Sequence, residues 1–207
     1  MARPDRAEPP LVPAVRLDGG AALRALAGFL AALFVWFAFS AVYERTLAIA
    51  GESILRAFER PAVTTLRASD GEIRVDRADF PDSSARPGLP AADIHFNFVL
   101  LGALFALSPH PLRARPFGRF WIAALLLWTI HVVAVVFQVE SVYATSLGPW
   151  SVEHYGPVAR NFWAAGFHFY QIAGRFAAPF VLWWALGRPE ERPSRPPASG
   201  KRKARSS

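Results

Sequence analysis

The 207-residue sequence contains no cysteine. That absence excludes a disulfide framework, a thiolate nucleophile and any cysteine-based metal site. There is no glycine-rich phosphate loop, no HExxH and no GxSxG, so the usual marks of nucleotide, zinc-peptidase and hydrolase chemistry are missing. Lysine is scarce, and the formal charge of +7 is carried almost entirely by Arg. A basic chain can bind nucleic acid, but no folded basic surface with interleaved aromatics is visible, and nucleic acid is not an expected partner. No internal repeat is present. The Ala, Arg and Pro bias is that of a high-GC bacterial genome.

Apolar residues are plentiful: 53% of the chain, including seventeen Phe and seven Trp. They fall in long runs of the kind a bilayer requires, about 20 residues per crossing. Four runs occupy residues 21–43, 94–109, 120–138 and 162–186. Ala38-Phe39-Ser40 resembles a signal-peptide cleavage site, but the first run exceeds the usual apolar core of about 7–15 residues and reads as an uncleaved helix. The expected fold is an all-α membrane protein with four transmembrane helices. Residues 1–20 and 187–207 read as disordered cytoplasmic tails, the second one basic.

Residues 44–93 form the insert between the first two spans. Residues 44–60 continue with helical spacing: Leu47, Ala50, Ile54 and Phe58 share a face, and Glu52 and Arg56 form an i,i+4 pair. Pro61 ends the helix. Asp70-Gly71 then predicts a tight hairpin turn, since both central residues must accept positive φ. The segments 63–67 and 72–77 are its strands, with Ile73 and Val75 alternating against charged residues. Residues 80–92 read as a linker. Arg113, Arg115 and Arg119 mark the loop between the second and third spans as cytoplasmic. Residues 139–160 hold one Arg and no Lys and read as an outer loop with Trp150 and Tyr155 at the interface. The expected topology is a multi-pass protein of the bacterial inner membrane, N-in and C-in.

Polar residues inside apolar spans are costly and face a bundle interior or a cavity. Asn161, His168 and Arg175 recur at intervals of seven with Gln171 between, which places them on one face of an uninterrupted helix. His131 and Gln138 repeat the spacing on the third span, and His95 and Asn97 lie near the outer end of the second. At about 1.5 Å per residue, His131 and His168 are expected roughly 10 Å below the outer boundary, with Arg175 deeper. The candidate cluster is therefore His95, Asn97, His131, Gln138, Glu140, His168, Gln171 and Arg175. Interhelical hydrogen bonding at roughly 0.6–2 kcal/mol each accounts for such residues in many membrane proteins. Three further roles remain open: a polar binding pocket, a haem or metal site on His131 and His168, and acid–base chemistry by Glu140, His131 or His168. No cofactor is implied by any motif.

The order of features resembles the exosortase H-associated membrane protein family. The resemblance rests on a first helix ending Phe39-Ser40-Ala41-Val42-Tyr43 and an extracytoplasmic segment of about fifty residues. The run Phe96-Asn97-Phe98-Val99-Leu100-Leu101-Gly102-Ala103-Leu104 follows, then Pro109 and an Arg-bearing loop. It covers most of residues 25–186 as architecture. Exosortases themselves resemble membrane-embedded cysteine transpeptidases with Cys, Arg and His or Arg in the site. Without Cys, Arg175 and His168 cannot stand in for that site. The resemblance therefore implies a non-catalytic accessory or scaffold of protein sorting at the envelope. Its partners would be membrane lipid and a multi-span exosortase-type protein.

Overall fold

A computed structural model describes residues 19–79, 86–108 and 110–187. Residues 1–18 and 188–207 of the expected tails, the first part of the linker at 80–85 and Pro109 lie outside the described residues. Gly19 and Gly20, assigned by sequence to the first tail, already belong to the first helix.

The chain is mostly helical, with one small sheet. Helix α1 runs from Gly19 to Phe58 without a break, so the first apolar run and the amphipathic segment after it form one rod about 60 Å long. Its sheet end is a packing surface: Leu47, Ala48, Gly51 and Leu55 are buried, at steps of one, three and four. Phe58, expected to share a face with Leu47, is 84% exposed. The Glu52–Arg56 pair forms at 3.2 Å, and the other Glu52 oxygen accepts the Leu66 N–H at 2.9 Å.

Strands β1 (Thr64–Ser69) and β2 (Glu72–Arg77) pair antiparallel, with Ser69 opposite Glu72. The two-residue turn has φ of 55° at Asp70 and 77° at Gly71, the geometry for which Asp-Gly is suited. A third strand, β3 (Gly88–Pro90), adds to β2, so the expected linker contributes an edge to the sheet. Ile73, Val75 and Leu89 point from the sheet into a core completed by α1 and by α4 (Ala114–Thr145).

Helix α4 starts before the third apolar run and outlasts it by seven residues past Gln138. The expected outer loop is thus largely helical: the end of α4, a short α5 (Pro149–His154) and the start of α6 (Pro157–Phe169). Pro at the first position of both α5 and α6 suits helix entry, because no N–H is required there. The second apolar run becomes α2 (Ala92–His95) and α3 (Asn97–Ala106). The fourth becomes α6, a π-helical segment at Tyr170–Gly174 and α7 (Arg175–Leu186).

Four arms result: α1, α2–α3, α4 and α6–α7. Gly28 faces Ala106 and Gly102 faces Ala32, so α3 is antiparallel to α1. Tyr43 meets His131, and Gly51 meets Val135, so α1 and α4 run the same way. Phe137 packs on Trp163, His131 on Tyr170, and Leu182 joins the core around Ala123, so α6–α7 is antiparallel to α4. Among the described residues, two helices, α1 and α4, are long and apolar enough to cross a membrane. The apolar stretch of α1 is unburied within the chain, and that of α4 is one-third buried.

Candidate functional site

Where the apolar run of α1 ends, a line of hydrogen bonds crosses all four arms. Tyr43 Oη and His131 Nδ1 are 2.7 Å apart. His131 Nε2 lies 2.7 Å from Asn97 Oδ1. Asn97 Nδ2 donates to the Arg175 carbonyl at 2.8 Å. The donors are fixed by elimination. A carbonyl oxygen only accepts, so the Asn97 amide must point its nitrogen at Arg175 and its oxygen at His131. His131 then carries its proton on Nε2, and Nδ1 accepts from the Tyr43 hydroxyl.

The last link has a cause in the backbone. Pro179 lies inside α7, four residues after Arg175. Proline has no N–H, so the helical bond to the Arg175 carbonyl cannot form. Asn97 supplies the missing donor from the neighbouring arm. A buried carbonyl left unpaired costs about 1–3 kcal/mol, which gives this side chain a defined task. Close by, the Tyr170 hydroxyl donates to the Ile94 carbonyl and ties the π segment to α2.

His95 lies beside this line. The Trp36 indole donates to its Nδ1 at 2.8 Å, which leaves the proton on Nε2. Nε2 is 3.4 Å from Glu44 Oε1 but out of line for a hydrogen bond. Tyr43 packs against both imidazoles, with ring centroids 5.2 Å from His95 and 5.9 Å from His131.

The eight candidates therefore divide. His95, Asn97 and His131 come together, all buried. Gln138 is buried on the same side of α4 as His131, as the spacing implied. Glu140 turns to the sheet end, where the Tyr155 hydroxyl donates to it at 2.8 Å. Arg175 contributes its carbonyl to the line, while its guanidinium reaches Gln171 at 3.3 Å and Asp93 at 3.5 Å. Since Asp93 lies in the first turn of α2, Arg175 is level with the top of the second arm rather than deep in the fourth. His168 is exposed and is not brought to His131. With both His131 nitrogens engaged and His168 facing away, these two side chains are not brought together as a pair of ligands. Among the described residues, no group of three or more His, Asp or Glu is placed to hold a metal ion.

A second polar cluster, on the sheet, was not expected from sequence. The Arg77 guanidinium, on the last residue of β2, bonds Glu59 at 2.9 Å and both Asp79 oxygens at 2.9 and 3.0 Å. It also lies over the rings of Tyr143 at 4.8 Å and Trp150 at 5.1 Å. Glu59 further accepts the Val63 and Thr64 N–H groups and the Thr64 hydroxyl. The hydrogen bond from Arg77 holds the Asp79 carboxyl below the usual carboxylate range. Burial pushes the Tyr155 hydroxyl up, with the Glu140 carboxylate adding to the effect. Tyr43, Trp36, Tyr170 and Pro179 were likewise absent from the candidates. Pro179 carried the one available signal, since a proline within an apolar run leaves a carbonyl in search of a donor. No family model, curated protein or solved structure matches this chain.

Proposed function

We propose that this chain is a four-span protein of the bacterial inner membrane, with both ends in the cytoplasm, that acts as a non-catalytic accessory of an exosortase-type sorting system. The observation that carries the non-catalytic part is the line from Tyr43 through His131 and Asn97 to Arg175. Its polar groups are engaged with one another across the arms. A general base or nucleophile needs a group within reach of a substrate, and neither His131 nitrogen is free to act as one. The line acts instead as a lock on the helix arrangement. The sorting context rests on the sequence resemblance around Phe39–Tyr43 and Phe96–Leu104.

The four-span reading is supported by the alternating direction of the arms and by the Arg residues gathered at 113–119. Two experiments test the proposal. Single cysteines at Ala114 and Ser146, in this cysteine-free background, are expected to be closed and open, respectively, to an impermeant thiol reagent in whole cells. Labelling of position 114 from outside overturns the topology. For the accessory role, an affinity-tagged chain is expected to co-purify with a cysteine-containing multi-span protein encoded beside it, and its deletion to lower that enzyme's processing of substrate. Unchanged processing in the deletion strain refutes that role.

A further inference from the structure

Between α1 and α4, with α3 as its floor, two cavities of about 460 and 560 Å³ lie end to end. Val35, Phe98 and Trp121 line both, so the two form one groove. Its origin is the α1–α3 contact. A Cβ on Gly28 would stand 2.2 Å from that of Ala106, and one on Gly102 would stand 2.5 Å from that of Ala32. Small residues at these steps let the two backbones approach closely, as in membrane helix pairs. The α1–α4 contacts lie instead toward the sheet, at Thr46–Trp128, Tyr43–His131 and Gly51–Val135. Pulled to α3 at one end and to α4 at the other, α1 leaves a gap along its loop-end half.

We propose that this groove holds an acyl chain of an anionic phospholipid, with the lipid phosphate paired to Arg24. The inference goes beyond the accessory role and rests only on the chain being embedded in a bilayer.

Shape and charge both favour that occupant. The groove runs from Arg24 to Tyr43, about 28 Å of helix. Methylenes of an extended acyl chain can follow that length against apolar walls, with no backbone polar group to satisfy. The walls are hydrocarbon and aromatic: Val35, Phe39, Phe98, Trp121 and Leu125. The ends differ in sign. At the loop end, Arg24 lines the groove, and its Nε is buried with no hydrogen-bond partner among the described residues. A guanidinium offers a planar fork of donors suited to phosphate. At the sheet end, the buried Glu44 carboxylate stands behind His95 and opposes an anion. The phosphate therefore belongs at Arg24 and the chain end points toward His95. Arg113, Arg115 and Arg119, at the start of α4, lie on the Arg24 side and add to the preference for net negative charge.

Native mass spectrometry of the full chain tests this, after exchange into micelles doped with equal phosphatidylglycerol and phosphatidylcholine. The wild type is expected to retain one lipid with about fivefold preference for phosphatidylglycerol, the effect of one Arg near an anionic headgroup. Arg24→Gln should lose the preference. Ala31→Phe, which fills the groove from an exposed position, should lose the bound lipid, and Arg45→Gln should change neither. If Ala31→Phe fails to fold, Leu125→Trp fills the same groove from α4. A photoreactive side chain at position 31 should yield a lipid adduct in membranes. Phosphatidylglycerol retention unaltered by filling the groove, a preference unaltered by Arg24→Gln, or a polypeptide adduct overturns the proposal. Because thiol labelling at positions 114 and 146 reads topology independently, failure here is separable from failure of the four-span reading.

Discussion

Replacing Asn97 by Leu removes two partners at once: the acceptor for His131 Nε2–H and the donor to the Arg175 carbonyl. Each orphaned buried group costs about 1–3 kcal/mol, although polar pairs between membrane helices average nearer 0.6 kcal/mol. His131 is fully buried and cannot turn to water. We therefore expect a loss of roughly 2–4 kcal/mol for Asn97→Leu. The decisive comparison is made in a Pro179→Ala background. Alanine restores the N–H four residues after Arg175, so the helix satisfies its own carbonyl. Asn97→Leu then orphans only His131, and its cost should fall by about 1–2 kcal/mol. The assay is reversible unfolding in mixed micelles for the wild type, both single variants and the double variant. Additivity within about 0.5 kcal/mol would mean that the two sites are independent. Asn97 would then not be replacing the bond that Pro179 lacks, and the account of the line as a four-arm lock would fail at its last link.

Three further outcomes are expected. Arg77→Ala should destabilise the sheet by roughly 2–3 kcal/mol, from a 12%-exposed ion pair and two ring contacts, and Arg77→Lys should recover only part of it. Protease sensitivity of the 59–79 segment reads this, and equal resistance of wild type and Arg77→Ala would refute it. Asp79 has a lowered pKa when folded, so its contribution is complete above the unfolded value near pH 4 and is lost as pH falls through the folded value. Sheet protection measured by hydrogen exchange should therefore weaken only below about pH 4, and Asp79→Asn should flatten that dependence; an unchanged acid limb would refute it. Arg175→Leu should cost under about 1 kcal/mol, because its partly exposed guanidinium meets Gln171, Asp93 and the Phe176 ring near the surface while the carbonyl stays in place. A larger loss of melting stability would show that the charge, not the carbonyl, matters.

The sequence made the hairpin legible because Asp70-Gly71 has one economical geometry between alternating strands. It also made His131 and Gln138 legible as one buried face, since α4 is regular through both. The fourth arm was misread for a specific reason. Heptad spacing places Asn161, His168 and Arg175 together only on a continuous α-helix. The π segment at Tyr170–Gly174 widens one turn and shifts the faces on either side of it. His168 is left outside while Arg175 keeps its contact with α3. Gln138 and Glu140 looked like the end of a span. Helix α4 instead continues seven residues past Gln138, and that end is covered by the sheet and α6. Arg77 gave no signal, since its partners are distant in sequence and it resembles any strand-end charge.

The unbroken α1 has a mechanical consequence. Its apolar run ends at Tyr43, yet the same helix climbs to Phe58, about 22 Å further. There it is fastened to β1 through Glu52 and Leu66 and to β2 through Glu59 and Arg77. Helix α4 rises beside it to Thr145. With no hinge in either rod, the sheet cannot swivel independently of the bundle. It is a platform at a set stand-off from the level of Tyr43, and any tilt of the rods is delivered to it as displacement. A protein engaged by that platform would feel its height and angle as constants, the properties of a spacer rather than of a tether.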